Sequence, residues 1–581
     1  MFKTKFVATL GAAALLMTPM SAFAKTSTAK PKAPTTVPVQ FLSINDMHGN
    51  IGETGFKATD GTPIGGAPAL AYHFEQEKAA FAKKYKLKTA AANTYRISAG
   101  DLVGGSPSYS SLLQDEPTMN AANAIKFNVG ALGNHEFDEG IDEFKRILNG
   151  LAPTEATQNY ELVKDYKLTK SNMEILTSNI VDKKSKKILN GFKPYTVKKY
   201  GGVKVGFIGV VTPDIKTVVL SKHVENIEVV NPAEAIAKYS KVLRKQGVNA
   251  IVVVAHSGAY NTDADTSIET QGKEKILGQT VEMLKELEKI DPKHSVDVVI
   301  GGHDHNFANG VYKNTRIIEA KSFGKAYSVV TGKISKKTKD FIKTPSGVVK
   351  YNYMPTEEQI NSNKVSKKVN GIVNDAKALV KDKIDAPIAT ASFESITRDR
   401  AAMPLGGSPV GNLVTDGQLS QAKAQGYNAD FAMTNSGGIR ADLTTDKVGD
   451  KNVITWGKAQ AVQPFGNYLK VVDMTGENIK KVIGEQFTGG YGLEVSGLHY
   501  TYNSKGVVDV FVGDTNEKID PAKTYSVVIN DFIATGGDKF YSFTTATNEK
   551  TIEVDTDAFI NYLKGKQTID EPTEVRNVKV D

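Results

Sequence analysis

Short apolar runs in this chain repeatedly end in amides, imidazoles and carboxylates. The run 129–132, broken by Gly133, is followed at once by Asn134, His135, Glu136 and Asp138. Residues 41–44 lead into Asn45-Asp46-Met47-His48-Gly49, and 95–98 lead into Ala99-Gly100-Asp101. Residues 251–255 lead into His256-Ser257-Gly258, and 296–300 into Gly301-Gly302-His303-Asp304-His305. A buried strand that ends in clustered polar groups is costly unless the cluster binds something. Any one of these histidines, alone, is better explained as a satisfied core or surface residue. Five of the nine in the chain share the placement, however: His48, His135, His256, His303 and His305, with Asp46, Asp101 and Asn134 beside them. Hard and borderline donors without a thiolate suit two divalent ions of Zn, Mn, Co or Fe. Such a pair polarises a phosphoryl oxygen and activates water. Asp101 suits a bridge, because a carboxylate can offer one oxygen to each ion.

Positioning these groups requires strands whose carboxyl ends meet. Helical stretches at 67–84 and 280–290 alternate with the apolar runs, which argues an α/β layered domain with its chemistry at the strand ends. A chain of 581 residues is too long for one ordinary core, so two large domains are expected. With 40% hydrophobic and 23% charged residues the composition is globular. The net charge of +8 is spread over scattered lysines without an arginine-rich run, which argues against a nucleic-acid polymer as partner. A mildly basic surface favours anionic small molecules or an anionic cell surface.

Lys3 and Lys5, the apolar run 6–17 and Ala22-Phe23-Ala24 have the three-part order of a secretory signal peptide, 1–24, cleaved near Ala24. The chain is expected to be exported to the periplasm, the cell wall or the medium. Residues 25–38, rich in Lys, Pro, Thr and Ala, read as a flexible tether, with ordered structure from Val39. There is no cysteine, hence neither a disulfide framework nor a thiolate ligand. No later apolar run is long enough to span a bilayer, so no transmembrane anchor is expected.

The character of the chain changes after 350. Thr356 and Gln359 have the spacing of a capping box, and Ile360, Val369, Ile372, Val373, Ala376 and Val380 follow on helical spacing. Residues 351–385 are read as a helix linking a first domain, 39–350, to a second, 386–581. The second domain carries Asn435-Ser-Gly-Gly-Ile-Arg440, a loop centred on Phe465, and a loop running from Asn530 through Phe532 to Asp538. A phenylalanine on a glycine-flanked loop is usually packing. Two such loops with an Arg and an Asp suit a nucleotide better, the rings stacking on a base and the carboxylate accepting from ribose hydroxyls.

Asp46-x-His48, Gly100-Asp101, Gly133-Asn134-His135-Glu136, His256 and Gly302-His303-Asp304-His305 together resemble the five-part signature of calcineurin-like metallophosphoesterases. Asn45 through Gly49, the Asn-His-Glu-Phe-Asp form of the third motif and the loops of the second half are similar to the secreted 5′-nucleotidase family, including its bifunctional UDP-sugar hydrolases. The resemblance runs from about residue 39 to 575. It implies a four-layer αββα metallophosphoesterase domain and a separate α/β C-terminal nucleotidase domain joined by a linker helix, with interdomain motion hinged near 356–384. It also implies one ion on Asp46, His48, Asp101 and His305, and a second on Asp101, Asn134, His256 and His303. His135 would stabilise the transition-state phosphoryl oxygens with Asp138 orienting its ring. Phe465 and Phe532 would sandwich the base, Asp538 would bind ribose, and Asn435 and Arg440 would reach base or phosphate. Two places depart from the family pattern: His305, where some relatives have Gln or Asn, and Gly407, where an acid is common. Arg400 is taken as a second phosphate-directed arginine, with Arg398 as its rival. The expected protein is a secreted, monomeric enzyme that hydrolyses nucleoside 5′-monophosphates, with UDP-sugars or nucleoside di- and triphosphates as further substrates. The alternatives are a 2′,3′-cyclic-nucleotide phosphodiesterase with 3′-nucleotidase action and a surface nucleotide-binding protein without turnover. The complete ligand set and His135 argue against the last.

Overall fold

The computed structural model describes residues 35–52, 55–88, 93–157, 159–261, 268, 275–399, 407–489 and 491–581. The expected signal peptide, most of the expected tether and Arg400 lie outside the described residues. The first strand, Thr36–Ile44, begins three residues before the expected start at Val39. Thr36, Val37 and Pro38 pair with Ser335, Ile334 and Lys333, so the end of the stretch read as tether is the end of a paired strand. Pro38 is tolerated there because the strand's other neighbour, Thr94–Ser98, pairs only from Gln40 onward.

Two six-stranded sheets form the first half. One has the order Ser346–Tyr351, Ala326–Ser335, Thr36–Ile44, Thr94–Ser98, Val129–Ala131, Glu174–Leu176. The other has the order Phe307–Tyr312, Thr315–Ala320, Val296–Ile300, Ile251–His256, Val203–Val211, Tyr195–Tyr200. Their inner faces share a core to which Phe41, Ile97 and Val129 contribute from the first sheet and Phe207, Val252, Val254 and Ile300 from the second. Strands covered on both faces read as continuous apolar runs, as Ile251–His256 does. Helices Ala67–Tyr85, Glu116–Ile125 and Lys364–Ile384 cover the outside of the first sheet. Pro232–Lys245 and Gln279–Ile290 cover the outside of the second. The result is four layers, α, β, β, α. Thr36–Ile44, Thr94–Ser98 and Val129–Ala131 run parallel, as do Ile251–His256 and Val296–Ile300, so each sheet delivers its strand ends on one side.

The connector has more packing than a free linker. Thr356 and Gln359 form the reciprocal capping box of a short helix, Glu357–Ser362. Asn363 interrupts it and caps Lys364–Ile384, accepting from the N–H groups of Val365 and Ser366. Val369, Val373, Ala376 and Val380 are buried in the core of the first half, and the Ser366 hydroxyl donates to the Pro68 carbonyl at 2.7 Å. Only residues 385 and 386 separate this helix from Pro387–Ala391, the first strand of the second half.

The second half is built on a five-stranded mixed sheet, in the order Leu493–Ser496, Phe431–Asn435, Thr524–Asn530, Tyr468–Thr475, Thr547–Val554. Helix Gly476–Gly489 packs on one face through Ile479, Val482 and Ile483. Pro409–Ala424 and Asp555–Lys566 pack on the other, with Leu419, Ala422 and Ala558 against Ala432 and Val528. Pro409 follows the N-cap Ser408, whose hydroxyl accepts from the Gly411 N–H at 3.0 Å. Among the described residues no helix is long and apolar enough to cross a membrane.

Candidate functional site

The strand ends of the two sheets bring the seven expected ligands together. His48 Nε2 lies 3.1 Å from His305 Nε2 and 3.7 Å from Asp101 Oδ2, while His305 Nε2 is 3.6 Å from Asp46 Oδ1. Opposite them, His256 Nε2 is 3.1 Å from Asp101 Oδ2 and 3.0 Å from Asn134 Oδ1, with the His303 ring 5.0 Å from that of His256. Asp46, His48 and His305 form one group whose donor atoms all lie within 4.8 Å of one another, and Asp101, His256 and His303 form another. Asp101 faces both. The backbone is strained where these side chains leave the strands. Asp46, His48, Asp101, His303 and His305 all have positive φ, between 46° and 92°. Non-glycine residues rarely adopt this conformation, and it concentrates at ligand clamps.

The chemistry of the group suits divalent ions. The Nδ1 of His48 is 2.8 Å from the Gly104 carbonyl and that of His256 is 2.9 Å from the Ala99 carbonyl. Donation to those carbonyls fixes the tautomer that turns the Nε2 lone pair toward the cluster. Burial, reinforced by neighbouring histidines, holds His48 and His305 well below the usual imidazole range and His303 down at about 3. Neutral imidazole is the form that ligates metal. Burial pushes Asp46 up to about 7, which marks a carboxylate in need of a cation. For His256 burial opposes the charge, but Asp101 outweighs it and lifts the group to about 10.

His135 sits on the same rim with a different set of partners. Its Nδ1 is 2.7 Å from Asp138 Oδ2, and its backbone N–H donates to Asp101 Oδ1 at 2.9 Å. Burial opposes a charge here too, yet Asp138 and then Asp101 prevail and the shift is upward. Glu136, assigned no role from its motif, braces the cluster. Its carboxylate accepts from the N–H groups of Asp101 at 3.0 Å and Leu102 at 2.8 Å, and from that of Gly133. Gly133 is required by close approach, since a Cβ there would come within 2.1 Å of Asp101 Oδ1.

The second half supplies the facing wall. Asn435 ends the strand Phe431–Asn435, accepts from Asn530 Nδ2 at 3.1 Å and donates to Asp538 Oδ2 at 2.7 Å. It therefore positions Asp538, a carboxylate that burial pushes up to about 6. Phe532 lies over Gly537, where a Cβ would meet the ring at 2.6 Å. Phe465 stacks on His135, with ring centroids 5.6 Å apart and planes at 17°, and the Arg440 guanidinium is 5.5 Å from its ring centre. Arg440 is half-buried, and its Nε and Nη2 are shut off from solvent without a hydrogen-bond partner among the described residues. Burial lowers its pKa while Asp101, Asp138, Asp46 and Asp538 counteract that. Arg398 stands near Arg440, burial and that neighbour bringing it down to about 10.

One cleft of about 460 Å³ joins these walls. It is lined by Asp101, Asn134, His135, Asp138, His303 and His305 from the first half, and by Asn435, Arg440, Phe465, Phe532 and Asp538 from the second. Val218, Val219, Leu220, Tyr491 and Asn467 also line it and were not anticipated. Tyr491 follows a glycine pair, a loop signal that could have found it. The apolar turn 218–220 carries no ligand chemistry in its sequence.

A model described as calcineurin-like phosphoesterase matches residues 39–307, and one described as 5′-nucleotidase, C-terminal domain, matches 387–545. A cell wall protein of Listeria monocytogenes, Lmo0130, is 42% identical over 554 residues, covering 93% of this chain and 69% of its own length. The Bacillus subtilis endonuclease YhcR is 32% identical over 92% of this chain, which spans only 40% of that protein. Among solved structures, a 5′-nucleotidase precursor from Thermus thermophilus superposes with a TM-score of 0.68 at 23% identity, covering 94% of this chain and 99% of its own.

Proposed function

From the premise that the chain belongs to the 5′-nucleotidase family of calcineurin-like phosphoesterases, and so is a metal-dependent phosphoesterase, we propose that it releases phosphate from nucleoside 5′-monophosphates. The observation that carries this reading is one cleft, which runs from a set of divalent-cation donor types to an arginine unpartnered among the described residues and on to a carboxylate and an aromatic ring. Its volume suits a small molecule.

Asp46, His48, Asp101 and His305 would hold one divalent ion, and Asp101, Asn134, His256 and His303 a second. When bound, the ions neutralise phosphoryl oxygens and activate water. Around them the chain's own groups divide the substrate. Arg440 engages the phosphoryl oxygens through the fork that has no protein partner. His135, kept charged by Asp138, stabilises charge as the bond from phosphorus to the ester oxygen breaks. Asp538, held by Asn435, accepts from the ribose hydroxyls. Phe532 receives the base, with Tyr491 and Leu220 closing the end of the cleft. Phe465, one face along His135, contacts both the catalytic ring and the arginine. Export, by way of the signal peptide read in the sequence, agrees with the cell-wall setting named for the Listeria relative.

The test is phosphate release from AMP, 3′-AMP, 2′,3′-cyclic AMP, UDP-glucose and a single-stranded DNA oligonucleotide, with Mn or Zn restored after chelation. AMP should lead in kcat/KM. A lead for the cyclic nucleotide would replace this reading with the phosphodiesterase one, and cleavage of the oligonucleotide alone would overturn it.

A further inference from the structure

Beside the ligand cluster, a carboxylate to which the proposed chemistry gives no task holds the turn that His48 is tied to. Asp115 directly precedes the helix Glu116–Ile125, a place where an aspartate ordinarily caps the first N–H groups. Its carboxylate is committed elsewhere. Oδ2 accepts from the Gly104 N–H at 3.0 Å, and Oδ1 accepts from the Ser110 hydroxyl at 2.6 Å. The backbone is strained where this side chain leaves it. Gln114 and Asp115 are consecutive non-glycine residues in the left-handed region, with φ of 53° and 55°. The Asp115 N–H donates to the Ser110 carbonyl at 2.9 Å, which fixes the base of the side chain.

Gly104 connects this carboxylate to the cluster. Its carbonyl lies 2.8 Å from His48 Nδ1, the contact that turns Nε2 toward Asp101 and His305. Gly104 has a φ of 82°. A glycine has the widest choice of backbone conformation, so the direction of its carbonyl must be set from outside. One side is crowded, since a Cβ on Gly104 would come within 2.6 Å of Asp138 Oδ2 and of the His135 carbonyl oxygen. On the other side the N–H is tethered to Asp115, and a carboxylate acceptor makes that bond a strong one. The same carboxylate also abuts the residue after His48, because a Cβ on Gly49 would lie 3.0 Å from Asp115 Oδ1. His256 is oriented separately, by the Ala99 carbonyl at 2.9 Å.

We infer that Asp115 is a positioning residue for one of the two ions: by tethering Gly104 it fixes the His48 ring, and through that ring the ion assigned to Asp46, His48, Asp101 and His305. The inference rests on the proposed reading that His48 ligates one ion and His256 the other. A ligand that has lost its orienting contact must find its geometry again when the ion arrives, so the loss falls on the affinity of that ion. The ion on the His256 side does not share this tether.

The experiment is calorimetric titration of the chelated full chain with Mn²⁺. Glycine suits a φ of 55°, so Asp115→Gly removes the carboxylate without adding backbone strain. In Asp115→Asn the amide can still accept from Gly104 while donating to Ser110. The wild type should take up two ions. Asp115→Gly should weaken one of them by about tenfold, the low end of what loss of an orienting partner costs, and leave the other within about twofold. Asp115→Asn should recover most of the loss. His256→Ala and His48→Ala then identify the affected ion. Asp115→Gly should weaken the ion that remains in His256→Ala by the same tenfold, and should leave the ion that remains in His48→Ala within about twofold. Equal weakening of both ions, weakening of neither, or a loss that follows the ion kept in His48→Ala overturns the role. Fewer than two ions in the wild type would instead overturn the ligand reading on which it rests. Thermal unfolding identifies a variant that does not fold, and if Asp115→Gly is one, Asp115→Ser takes its place with the same expected outcomes.

Discussion

Burial drives His48, His303 and His305 toward the neutral form, the one that can ligate a cation, while Asp138 draws His135 toward the charged form. His135→Ala should therefore lower kcat by about 10²–10⁴ and leave metal content, read by elemental analysis, unchanged. Loss of metal would make His135 a ligand, a role the grouping of His48, Asp101 and His135 permits on distance alone. The charge also predicts a pH dependence. With the pKa raised above 6.5, the imidazolium persists to higher pH, and kcat falls only as pH rises through that raised value. Asp138→Asn removes the main supporting charge, so the falling limb should move to lower pH. A limb that stays in place means that another group titrates. Asp101 faces both ligand groups, and Asp101→Ala should empty both. Two tightly held ions per chain in that variant would disprove the bridge.

The two aromatic loops of the second half look equivalent in sequence and are not equivalent in space. Phe532 lies on Gly537 at the far end of the cleft, whereas Phe465 is stacked on His135. Phe532→Ala should cost AMP one to two decades in kcat/KM, since base stacking is worth ~1–3 kcal/mol, and should spare p-nitrophenyl phosphate. Phe465→Ala should cost both substrates, mainly in kcat, because it loosens the ring that acts on each. Equal loss on both substrates in Phe532→Ala would reduce that ring to packing. The same contrast shows what could be read without coordinates. That these groups meet was legible because each strand end carries its own contiguous signal, a glycine beside His, Asp or Asn. The helix Lys364–Ile384 was legible from its cap and apolar stripe, but its docking against Ala67–Tyr85 was not, because a stripe does not name its partner. Glu136 stood inside a recognised motif, yet its brace on three backbone N–H groups is a tertiary fact. The pairing of Phe465 with His135 joins residues of different halves, and no local pattern encodes it.

Neither half contains a complete site. The first offers the His and Asp groups that could hold cations, and His135; the second offers Arg440, Asp538 and Phe532, with only two residues between the docked helix and the second half. Arg440 is where this division can be tested, since its guanidinium reaches across to a field made by Asp46, Asp101 and Asp138 of the other half. If its task is to grip the phosphoryl group, the loss on removing it must not depend on what the phosphate is attached to. Arg440→Ala should then lower kcat/KM by about 10²–10³, the usual scale for one preorganised donor, for AMP and p-nitrophenyl phosphate alike. Inhibition by product phosphate should weaken in parallel, and added guanidinium should restore part of the activity by filling the vacated space. If Arg440 instead recognises the base, the small ester would be spared and phosphate inhibition would be unchanged. Kinetics on the two substrates with phosphate as inhibitor separate these outcomes, and sparing of the small ester would remove the link between the halves on which the phosphate-grip argument depends.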